Sequence, residues 1–335
     1  MNKARIGVGI LGAGQPNIAT DQQLPGTLRA SRVQLIALCD VNPGVKDYAA
    51  KHNLKAYTDY PAMLADPEIE LVEISTPDQF HCEHALAALA AGKHVLLQKP
   101  PCVDRSEMEQ LIDAAGKATG RIGILINQRY SLLSRSIKHY LERFLIGELR
   151  EIIIRYRGRR FPIANPQSFY LTDKSGGVWL HNSLHWLDEA FYYSEKLPQS
   201  VSVLTNRNNH GDPCYLGAGP NYFSAIFPMA EKTFLFEYNT MLLADNLPGG
   251  MERTLVGTHG ELRCPYGSNE IHYYKFGSND KEILPLLECE TDSNIESFRI
   301  AIDEFAGLIL NGNDTANKFA DSMALFDLLL QGLER

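Results

Sequence analysis

Short apolar runs alternate with helical stretches over the first 126 residues, and this alternation constrains the fold more than any other feature of the 335-residue chain. The runs are rich in β-branched residues and too short for helices, which is typical of buried strands. Strands joined by helices through short connections predict a parallel, doubly wound α/β sheet. The predicted strands are Arg5–Leu11, Val33–Cys39, Ile69–Ile74, His94–Leu97 and Ile122–Ile126, and the predicted helices are Asn17–Ala30, Pro43–His52, Gln79–Ala91 and Ser106–Thr119.

The pattern changes after residue 126. Strand-like segments with aromatic residues follow one another, mostly without a helix between them, which predicts an α+β domain with a large, mostly antiparallel open sheet. The sequence therefore predicts two domains, over residues 1–126 and 127–335. The predicted strands of the second domain are Leu149–Arg157, Val201–Thr205, Tyr222–Phe227, Thr233–Tyr238, Thr254–Gly257 and Ile271–Phe276, and its predicted helices are Leu132–Leu145, Val178–Tyr193, Ile295–Leu310 and Lys318–Gly332.

Charge and cysteine content argue against several classes of protein. A nucleic-acid-binding surface is basic, whereas the formal net charge here is −8. The six cysteines form no C-x-x-C pair, so we expect reduced thiols in a cytoplasmic protein rather than a zinc site or a disulfide framework. The apolar run Ile6–Leu11 is too short for a secretion signal, and no stretch of about 18 apolar residues is present to span a membrane.

A glycine-rich turn follows the first predicted strand. It reads Gly12-Ala13-Gly14-Gln15-Pro16-Asn17. In a dinucleotide-binding turn the first glycine permits the tight bend, and the second lets the backbone approach the pyrophosphate at the positive end of the next helix. Asn17 stands where the G-x-G-x-x-G pattern has its third glycine. We expect Gly12, Gly14, Gln15 and Asn17 to bind the cofactor, and an ordinary strand–helix turn is the alternative.

Asp40 strengthens the dinucleotide interpretation. It follows the second predicted strand, 23 positions after Asn17, and the acid that binds the adenosine ribose lies about 20 residues beyond the glycine turn. A carboxylate there accepts hydrogen bonds from ribose hydroxyls and repels a 2′-phosphate, for which neither Val41 nor Asn42 offers a cation. The residues thus predict a Rossmann domain that binds NAD in preference to NADP. A purely turn-forming Asp40 is the alternative.

Three further stretches carry ordered motifs. They are Thr76-Pro77-Asp78 with His81, Gly92-Lys93-His94-Val95 and Gln98-Lys99-Pro100; then Gly176-Gly177 with His185 and Asp188; then Val256-Gly257-Thr258-His259-Gly260-Glu261-Leu262. In these motifs the chain resembles the glucose–fructose oxidoreductase / inositol dehydrogenase / MocA (Gfo/Idh/MocA) family over nearly its whole length. The resemblance implies a Rossmann domain followed by a domain on a large open sheet, which often forms the oligomer interface. We therefore expect a homodimer or homotetramer.

The resemblance also implies an activity and its residues. Family members bind NAD or NADP and usually oxidise or reduce a sugar, polyol or related cyclic compound. The family's catalytic lysine and histidine match Lys99 and His185. Two carboxylates of the pattern are absent, because Gln98 replaces the glutamate before the lysine and His181 replaces the aspartate four positions before the histidine. By the same resemblance the residues expected near the cofactor are Thr76, Pro77, His81, Gln98 and Lys99.

These side chains suit the oxidation of an alcohol. The base that removes the hydroxyl proton works best with a pKa near the operating pH, and a histidine pKa of about 6.5 makes His185 the predicted base. Lys99 can donate a hydrogen bond to the reacting oxygen and stabilise negative charge there. His181 shares a helix face with His185 and Asp188, so we expect it to contact substrate or to share a proton with His185. We predict no metal, because no third ligand is evident beside the two histidines.

Further side chains are candidates for substrate contacts, together with His181. Arg129 and Tyr130 follow the last predicted strand of the first domain, at the position of the family that lies towards the substrate. Tyr170 and Trp179 offer flat apolar surfaces for a sugar ring, and core packing is the alternative use of each.

A basic stretch stands out in this acidic chain. It is Arg155–Arg160, and on a strand Arg155, Arg157 and Arg159 would share one face. Arg157 is therefore a candidate for binding a carboxylate or phosphate of an anionic substrate. The alternative is a solvent-exposed sheet face whose arginines pair with acidic neighbours.

Three functions remain open on the sequence. The first is an NAD(P)-dependent oxidoreductase of a sugar, polyol or related cyclic hydroxy compound, with Lys99 and His185 at the reaction centre. The second is a redox-neutral enzyme that oxidises a sugar with a retained NAD, eliminates a group and reduces the product again. The third is a non-catalytic sensor that binds NAD, which the exchanges at Gln98 and His181 would allow.

Overall fold

The computed structural model describes residues 5–157, 177–206, 222–239, 250–289, 291–312 and 319–333. The chain forms two compact units. Unit 1 comprises Met1–Tyr130 and Cys289–Met323, and unit 2 comprises Ser131–Glu288 and Ala324–Arg335. The division predicted from the sequence placed all of residues 127–335 in the second domain. The grouping of Cys289–Met323 with unit 1 corrects that part of the prediction.

Unit 1 contains a six-stranded parallel sheet. Its strands are β1 (Ile6–Leu11), β2 (Val33–Cys39), β3 (Lys55–Tyr57), β4 (Leu71–Ile74), β5 (His94–Gln98) and β6 (Ile122–Leu125). They lie in the order β3-β2-β1-β4-β5-β6, which reverses direction between β1 and β4. The carboxyl ends of these two strands flank the crevice in which doubly wound sheets bind ligands. The predicted parallel, doubly wound sheet is confirmed.

Helices connect most of these strands. They are α1 (Leu24–Arg29), α2 (Val45–Lys51), α3 (Tyr60–Leu64), α4 (His81–Ala90) and α5 (Arg105–Lys117). A π-helical turn, Ala19–Gln23, precedes α1, where the sequence predicted one continuous helix. Strand β3 and helix α3 were not predicted, because β3 is three residues of largely exposed edge strand and α3 is a single short turn of five residues.

Helix α8 (Ser293–Asn311) explains why the chain returns to unit 1. Its Phe298, Ile302 and Phe305 join the buried core formed by apolar residues of β1 and β2. Its Asp303 accepts a hydrogen bond from the backbone N–H of Arg32 at 2.9 Å. A helical pattern at the end of a sequence does not reveal which sheet its apolar stripe covers.

Unit 2 contains an eight-stranded sheet. Its strands are β7 (Leu149–Arg157), β8 (Ser202–Asn206), β9 (Tyr222–Met229), β10 (Lys232–Asn239), β11 (Gly250–Gly257), β12 (Gly260–Cys264), β13 (Ile271–Lys275) and β14 (Lys281–Leu284). The order is β14-β13-β12-β11-β7-β10-β9-β8. Only the β7–β10 pair is parallel among these described strands, so the prediction of a large, mostly antiparallel sheet is confirmed.

One face of this sheet carries a buried aromatic layer: Phe223, Phe227, Phe234, Phe236 and Tyr238. Helices α6 (Leu132–Glu142) and α7 (Gly177–Ser194) belong to unit 2, and α9 (Phe319–Leu333) ends in it. The indole of Trp179 on α7 packs edge-on against Phe223, with ring centroids 4.5 Å apart, which places α7 on the aromatic layer. Within the described ranges, no helix is long and apolar enough to cross a membrane.

Candidate active site

The glycine turn bends immediately after β1. Gly12 has a positive φ of 98°, and a Cβ at this position would lie 2.6 Å from the backbone oxygen of Ser75. Its N–H donates to the carbonyl oxygen of Cys39 at 2.8 Å. Only glycine adopts a left-handed turn this close to two neighbouring segments without strain. Gly12 therefore makes the tight turn that the motif indicates, and its contact with a cofactor stays a prediction.

Gly14 and Asp40 lie against each other at the carboxyl edge of the sheet. The N–H of Gly14 donates to Asp40 Oδ2 at 2.8 Å, and a Cβ on Gly14 would lie 2.5 Å from the Asp40 carboxyl carbon. The second oxygen, Oδ1, accepts the N–H of Asn42 at 2.8 Å. A carboxylate has about four acceptor positions, so Asp40 is fixed by two backbone donors and keeps capacity for ribose hydroxyls. These residues fit an adenosine ribose.

Asn17 organises the remainder of the turn. Its Nδ2 donates to the carbonyl oxygen of Gly12 at 3.0 Å, and its Oδ1 accepts the N–H of Thr20 at 3.1 Å. The Thr20 hydroxyl donates to the carbonyl oxygen of Gln15 at 3.2 Å, while the Gln15 side chain is exposed. Asn17 thus closes the turn with its side chain, a different contribution from that of a third glycine.

The side chain of one histidine makes hydrogen bonds to both the loop after β4 and the loop after β5. His81, at the start of α4, places Nδ1 2.6 Å from the carbonyl oxygen of Pro100 and Nε2 2.7 Å from that of Thr76. The Thr76 hydroxyl lies 3.0 Å from His84 Nδ1, and Pro77 is exposed. Both ring nitrogens of His81 are therefore occupied by protein groups, which favours a role in holding the loops over a direct contact with the cofactor.

Lys99 lies directly after β5 and is only 8% exposed. Burial lowers the pKa of Lys99 to about 8, against the opposing effect of Asp78. Asp78 itself is buried, and burial raises its pKa to about 6, while His81 and Lys99 act in the opposite direction. A lysine amine with a pKa near neutrality can change its protonation state during a reaction.

Gln98 belongs to a buried polar network beneath the glycine turn. Its Nε2 donates to Gln23 Oε1 at 3.2 Å, an oxygen that also accepts the Ser75 hydroxyl at 2.6 Å. Gln23 Nε2 in turn donates to Glu73 Oε2 at 2.7 Å, and Thr27 donates to the same oxygen at 2.9 Å. Burial raises the pKa of Glu73 to about 7, while the bonds from Gln23 and Thr27 lower it. The Gln98 amide is thus bonded to Gln23, which Ser75 and Glu73 hold in turn.

The histidines predicted for the reaction lie on α7. His181 and Asp188 are buried and His185 is half-buried. The helix is fixed by Glu189, whose carboxylate receives Arg253 Nε at 3.0 Å and Nη2 at 3.2 Å. Among the described residues, no group of three or more His, Cys, Asp or Glu side chains is arranged to hold a metal ion.

Two of the predicted substrate contacts have buried side chains with partners in the protein. Trp179 is 1% exposed, and its indole N–H donates to the carbonyl oxygen of Leu329 at 2.7 Å. Tyr130 is buried in the core of unit 1, where its hydroxyl donates to Glu304 Oε2 at 2.7 Å. Core packing, the alternative use of Trp179, is thus observed, and contact of either ring with substrate stays a prediction.

The other candidate substrate residues have different surroundings. Arg129 is fully buried in the turn after β6. Arg157 is exposed at the end of β7, with its guanidinium 4.8 Å from the centre of the Tyr266 ring. Arg155 pairs with Glu237 and Glu252 on adjacent strands, which is the acidic pairing considered as the alternative for this stretch. Tyr170, Arg159 and Arg160 lie outside the described residues. Substrate binding by Arg129, Arg157 and Tyr170 stays a prediction.

Sequence reasoning missed the buried ionisable groups that surround the loop residues. Asp78 lies within the quoted motif, yet no role was assigned to it. Glu73 is an acid within an apolar strand, which is a signal that the sequence does contain. Gln23 carries no signal, because only folding brings it beside Glu73, 50 positions away.

The chain is similar to known proteins in both sequence and fold. Residues 6–125 match a family model described as an oxidoreductase family with an NAD-binding Rossmann fold. D-glucoside 3-dehydrogenase of Escherichia coli K12 is 27% identical over 197 residues, covering 57% of this chain and 55% of that protein. Inositol 2-dehydrogenase of Salmonella paratyphi B is 29% identical over 209 residues, covering 59% of each chain. The alignments thus span little more than half the length of these relatives.

A solved structure is similar over nearly the full length. It is an oxidoreductase from Agrobacterium radiobacter in complex with NAD+, L-tartaric acid and magnesium, with a TM-score of 0.82 and 20% identity, covering 98% of this chain and 96% of that chain. The parallel sheet, the glycine turn with Asp40 and the match over residues 6–125 define an NAD-binding Rossmann domain. Over residues 6–125 the chain matches the Gfo/Idh/MocA family model, in agreement with the resemblance that its sequence motifs carry.

Proposed function

We propose that this protein is an NAD-dependent dehydrogenase or reductase that acts on a sugar, polyol or related cyclic hydroxy compound. The observation that carries the proposal is Lys99, a buried amine whose pKa is lowered to about 8, placed directly after β5 of an NAD-binding sheet. Ligands of such sheets bind beyond the carboxyl ends of the strands. Groups with strongly shifted pKa values are concentrated at functional sites.

Bound NAD supplies the hydride acceptor, and the chain supplies the proton chemistry. We assign Lys99 to the substrate oxygen, where its ammonium donates a hydrogen bond and stabilises negative charge. We assign His185 as the base that takes the hydroxyl proton, because an imidazole titrates near neutral pH. His181 is proposed to contact the substrate or exchange a proton with His185.

The substrate class rests on the relatives. D-glucoside 3-dehydrogenase and inositol 2-dehydrogenase are named for ring compounds that carry several hydroxyl groups. A ring hydroxyl presented to Lys99 and His185 is the reaction we propose for this chain. Asp40 favours NAD, because a carboxylate that accepts ribose hydroxyls repels a 2′-phosphate.

The test is a screen of sugars and cyclic polyols that follows nicotinamide absorbance. With the best substrate, Lys99→Met should lower kcat by about 10²–10⁴-fold, the usual contribution of a positioned proton donor or acceptor, while the Kd for NADH stays within about twofold. Lys117→Met is the matched control, since Lys117 is an exposed helical lysine paired with Asp113. Full activity of a folded Lys99→Met enzyme would overturn the assignment.

A second candidate, redox-neutral chemistry, is favoured by Gln98. The amide that replaces the expected glutamate is tied to Gln23, so it adds no carboxylate beside Lys99. In that case NAD would stay bound through purification, and substrate would be consumed without net NADH formation. The same screen, with product analysis added, separates the two enzymes, and the absence of any turnover in the presence of bound NAD would support a sensor.

We further propose that unit 2 forms a homodimer or homotetramer through the outer face of its sheet. Register places Ile226, Leu235 and Ile153 in one row across β9, β10 and β7 on that face. Ile226 is 45% exposed, and Leu204 on the edge strand is 75% exposed. An aliphatic row on an open sheet is the kind of surface that a second copy covers. A cytoplasmic location stays a prediction.

A further inference from the structure

His81 lies between two backbone carbonyl groups that belong to different loops. Its Nδ1 is 2.6 Å from the carbonyl oxygen of Pro100, and its Nε2 is 2.7 Å from that of Thr76. The side chain is 1% exposed, so water has no access to replace either partner. Because Pro100 follows Lys99 directly, this one ring connects the backbone beside Lys99 to the loop after β4.

The hydrogen bonds determine the charge of this ring. A neutral imidazole has one N–H, and its other nitrogen presents a lone pair. A carbonyl oxygen only accepts, so a neutral His81 would place lone pairs against each other at 2.6 or 2.7 Å. Turning the ring over would bring C–H groups to these distances, which are shorter than C–H···O contacts of about 3.3–3.6 Å. Only the imidazolium ion donates to both carbonyls.

The charged groups that act on His81 are Asp78, on the turn before α4, and Lys99, after β5. Burial, together with Lys99, lowers the pKa of His81 below its ordinary value, although Asp78 and the carbonyls of Pro100 and Thr76 raise it. The charge of the ring is therefore argued from its two short contacts with carbonyl oxygens, which need two N–H donors. Asp78 is 2% exposed and acts on both His81 and Lys99. One buried carboxylate therefore acts electrostatically on two basic side chains. If the ring is cationic, the carboxylate is shared, and the Lys99 ammonium is less stabilised.

We propose that His81 is a positioning residue that is held as an imidazolium ion at neutral pH. It fixes the backbone next to Lys99, and its charge competes with Lys99 for Asp78, so that the Lys99 ammonium is less bound to that carboxylate and can donate to the substrate oxygen. The inference rests on the proposed function only for the use of that ammonium. The charge of the ring and the titration of Lys99 can be measured without any substrate.

The first measurement is the ¹⁵N resonance of the histidine rings in the full-length wild-type protein, labelled with ¹⁵N-histidine. His81 should show two protonated nitrogens from about pH 6 to about pH 8. His84 is the matched control on the same helix: its Nδ1 faces the Thr76 hydroxyl, which can donate or accept, and burial lowers its pKa. His84 should therefore show one unprotonated nitrogen at neutral pH. An unprotonated nitrogen on His81 would overturn the proposal.

Two variants assign the resonances and test the link to Lys99. His81→Gln removes the His81 signals from the spectrum. Asp78→Asn removes the negative charge beside the ring, so the His81 signals should then titrate within the measured pH range. Either change identifies which signals belong to His81. In folded His81→Gln, the pKa of Lys99, followed by ¹³C-lysine resonances and assigned with Lys99→Met, should rise by about 1 unit, since Asp78 then acts on Lys99 alone. His84→Gln should leave it in place. An unchanged Lys99 titration in folded His81→Gln would refute the competition for Asp78, and if that variant does not fold, the wild-type ¹⁵N result decides.

Discussion

At the scale of residues, the candidate site is defined by ionisable groups that are buried where an apolar core would be less costly. Glu73, Asp78, His81 and Lys99 all lie on or just beyond β4 and β5, and all are buried. Removing a charge from water is unfavourable unless partners compensate, so such groups persist where their shifted pKa values have a use. Lys99 has that use in the proposed reaction. Glu73 allows a separate test of whether burial shifts pKa values in this part of the molecule.

Glu73 makes stability depend on pH. Its pKa is about 7 in the folded protein against an ordinary value of 4.5, so the folded state binds this proton more tightly. The stabilisation of the folded state by this tighter proton binding is fully present below about pH 4.5 and is lost as the pH rises through about 7. A shift of this size corresponds to about 3 kcal/mol of unfolding free energy. We expect Glu73→Gln, which keeps an oxygen for Gln23 and Thr27, to flatten this dependence.

The measurement is urea unfolding of wild type and Glu73→Gln at about pH 5 and about pH 8. Relative to wild type, the variant should gain stability at the higher pH and show little change at the lower one. Glu109→Gln, at an exposed position on α5, is the matched control and should follow the wild type at both pH values. Parallel pH profiles for wild type and Glu73→Gln would contradict the raised pKa of Glu73.

We expect Asp40 to carry a preference for NAD over NADP. Asp40→Asn keeps one acceptor oxygen for the backbone and removes the charge that repels a 2′-phosphate. We expect the ratio of the NADPH Kd to the NADH Kd to fall by roughly tenfold, equivalent to about 1.4 kcal/mol. Fluorescence titration of both cofactors measures it. Asp47→Asn, at an exposed position on α2, should leave the ratio unchanged, and an unchanged ratio in Asp40→Asn would remove Asp40 from the cofactor site.

At the scale of elements, the strands that could be predicted from the sequence are mostly those that are buried. Central strands such as β1, β2 and β7 are apolar or alternating runs, and their predicted and observed bounds agree within one residue. The edge strands β3 and β14 were missed, because exposed strands have no apolar pattern. Strand β12, a short strand inside the second sheet, was missed as well. The network of Gln23, Glu73 and Gln98 could not be predicted, since its partners meet only through the packing of β4, β5 and the π-helical turn.

Helix α7 carries the predicted reaction histidines and is secured by a buried ion pair. Glu189 is fully buried and also accepts the Tyr193 hydroxyl at 2.6 Å and the Ser134 hydroxyl. Arg253→Met would leave its carboxylate without a cation, which costs about 3–5 kcal/mol of unfolding free energy. Urea unfolding should show this loss, and the double variant Arg253→Met with Glu189→Gln should recover part of it. Equal stability of the single variant and wild type would mean that the pair does not hold α7.

At the scale of the whole molecule, the chain divides into a unit that carries the dinucleotide turn and a unit that carries the open sheet. The return of α8 to unit 1 covers the first sheet, with Phe298, Ile302 and Phe305 in its core. In the described strands of the second sheet the aromatic layer lies on one face, and the opposite face bears partly exposed side chains such as Ile226 and Leu204. The first sheet is therefore covered by a helix from the end of the chain, whereas one face of the second sheet stays partly exposed.

A second copy is the partner we propose for that opposite face, and charge placed in its aliphatic row should prevent assembly. In Ile153→Asp with Ile226→Asp, two carboxylates from each copy would be desolvated at the contact, which costs several kcal/mol for each unpaired charge. Since each copy contributes the same patch in a symmetric interface, the cost is doubled. Analytical ultracentrifugation should show a dimer or tetramer for wild type and a monomer for the variant. Ile112→Asp, at an exposed apolar position on α5 of unit 1, controls for added surface charge and should keep the wild-type mass. A wild-type monomer, or a variant that assembles as the wild type does, would exclude the aliphatic row as the interface.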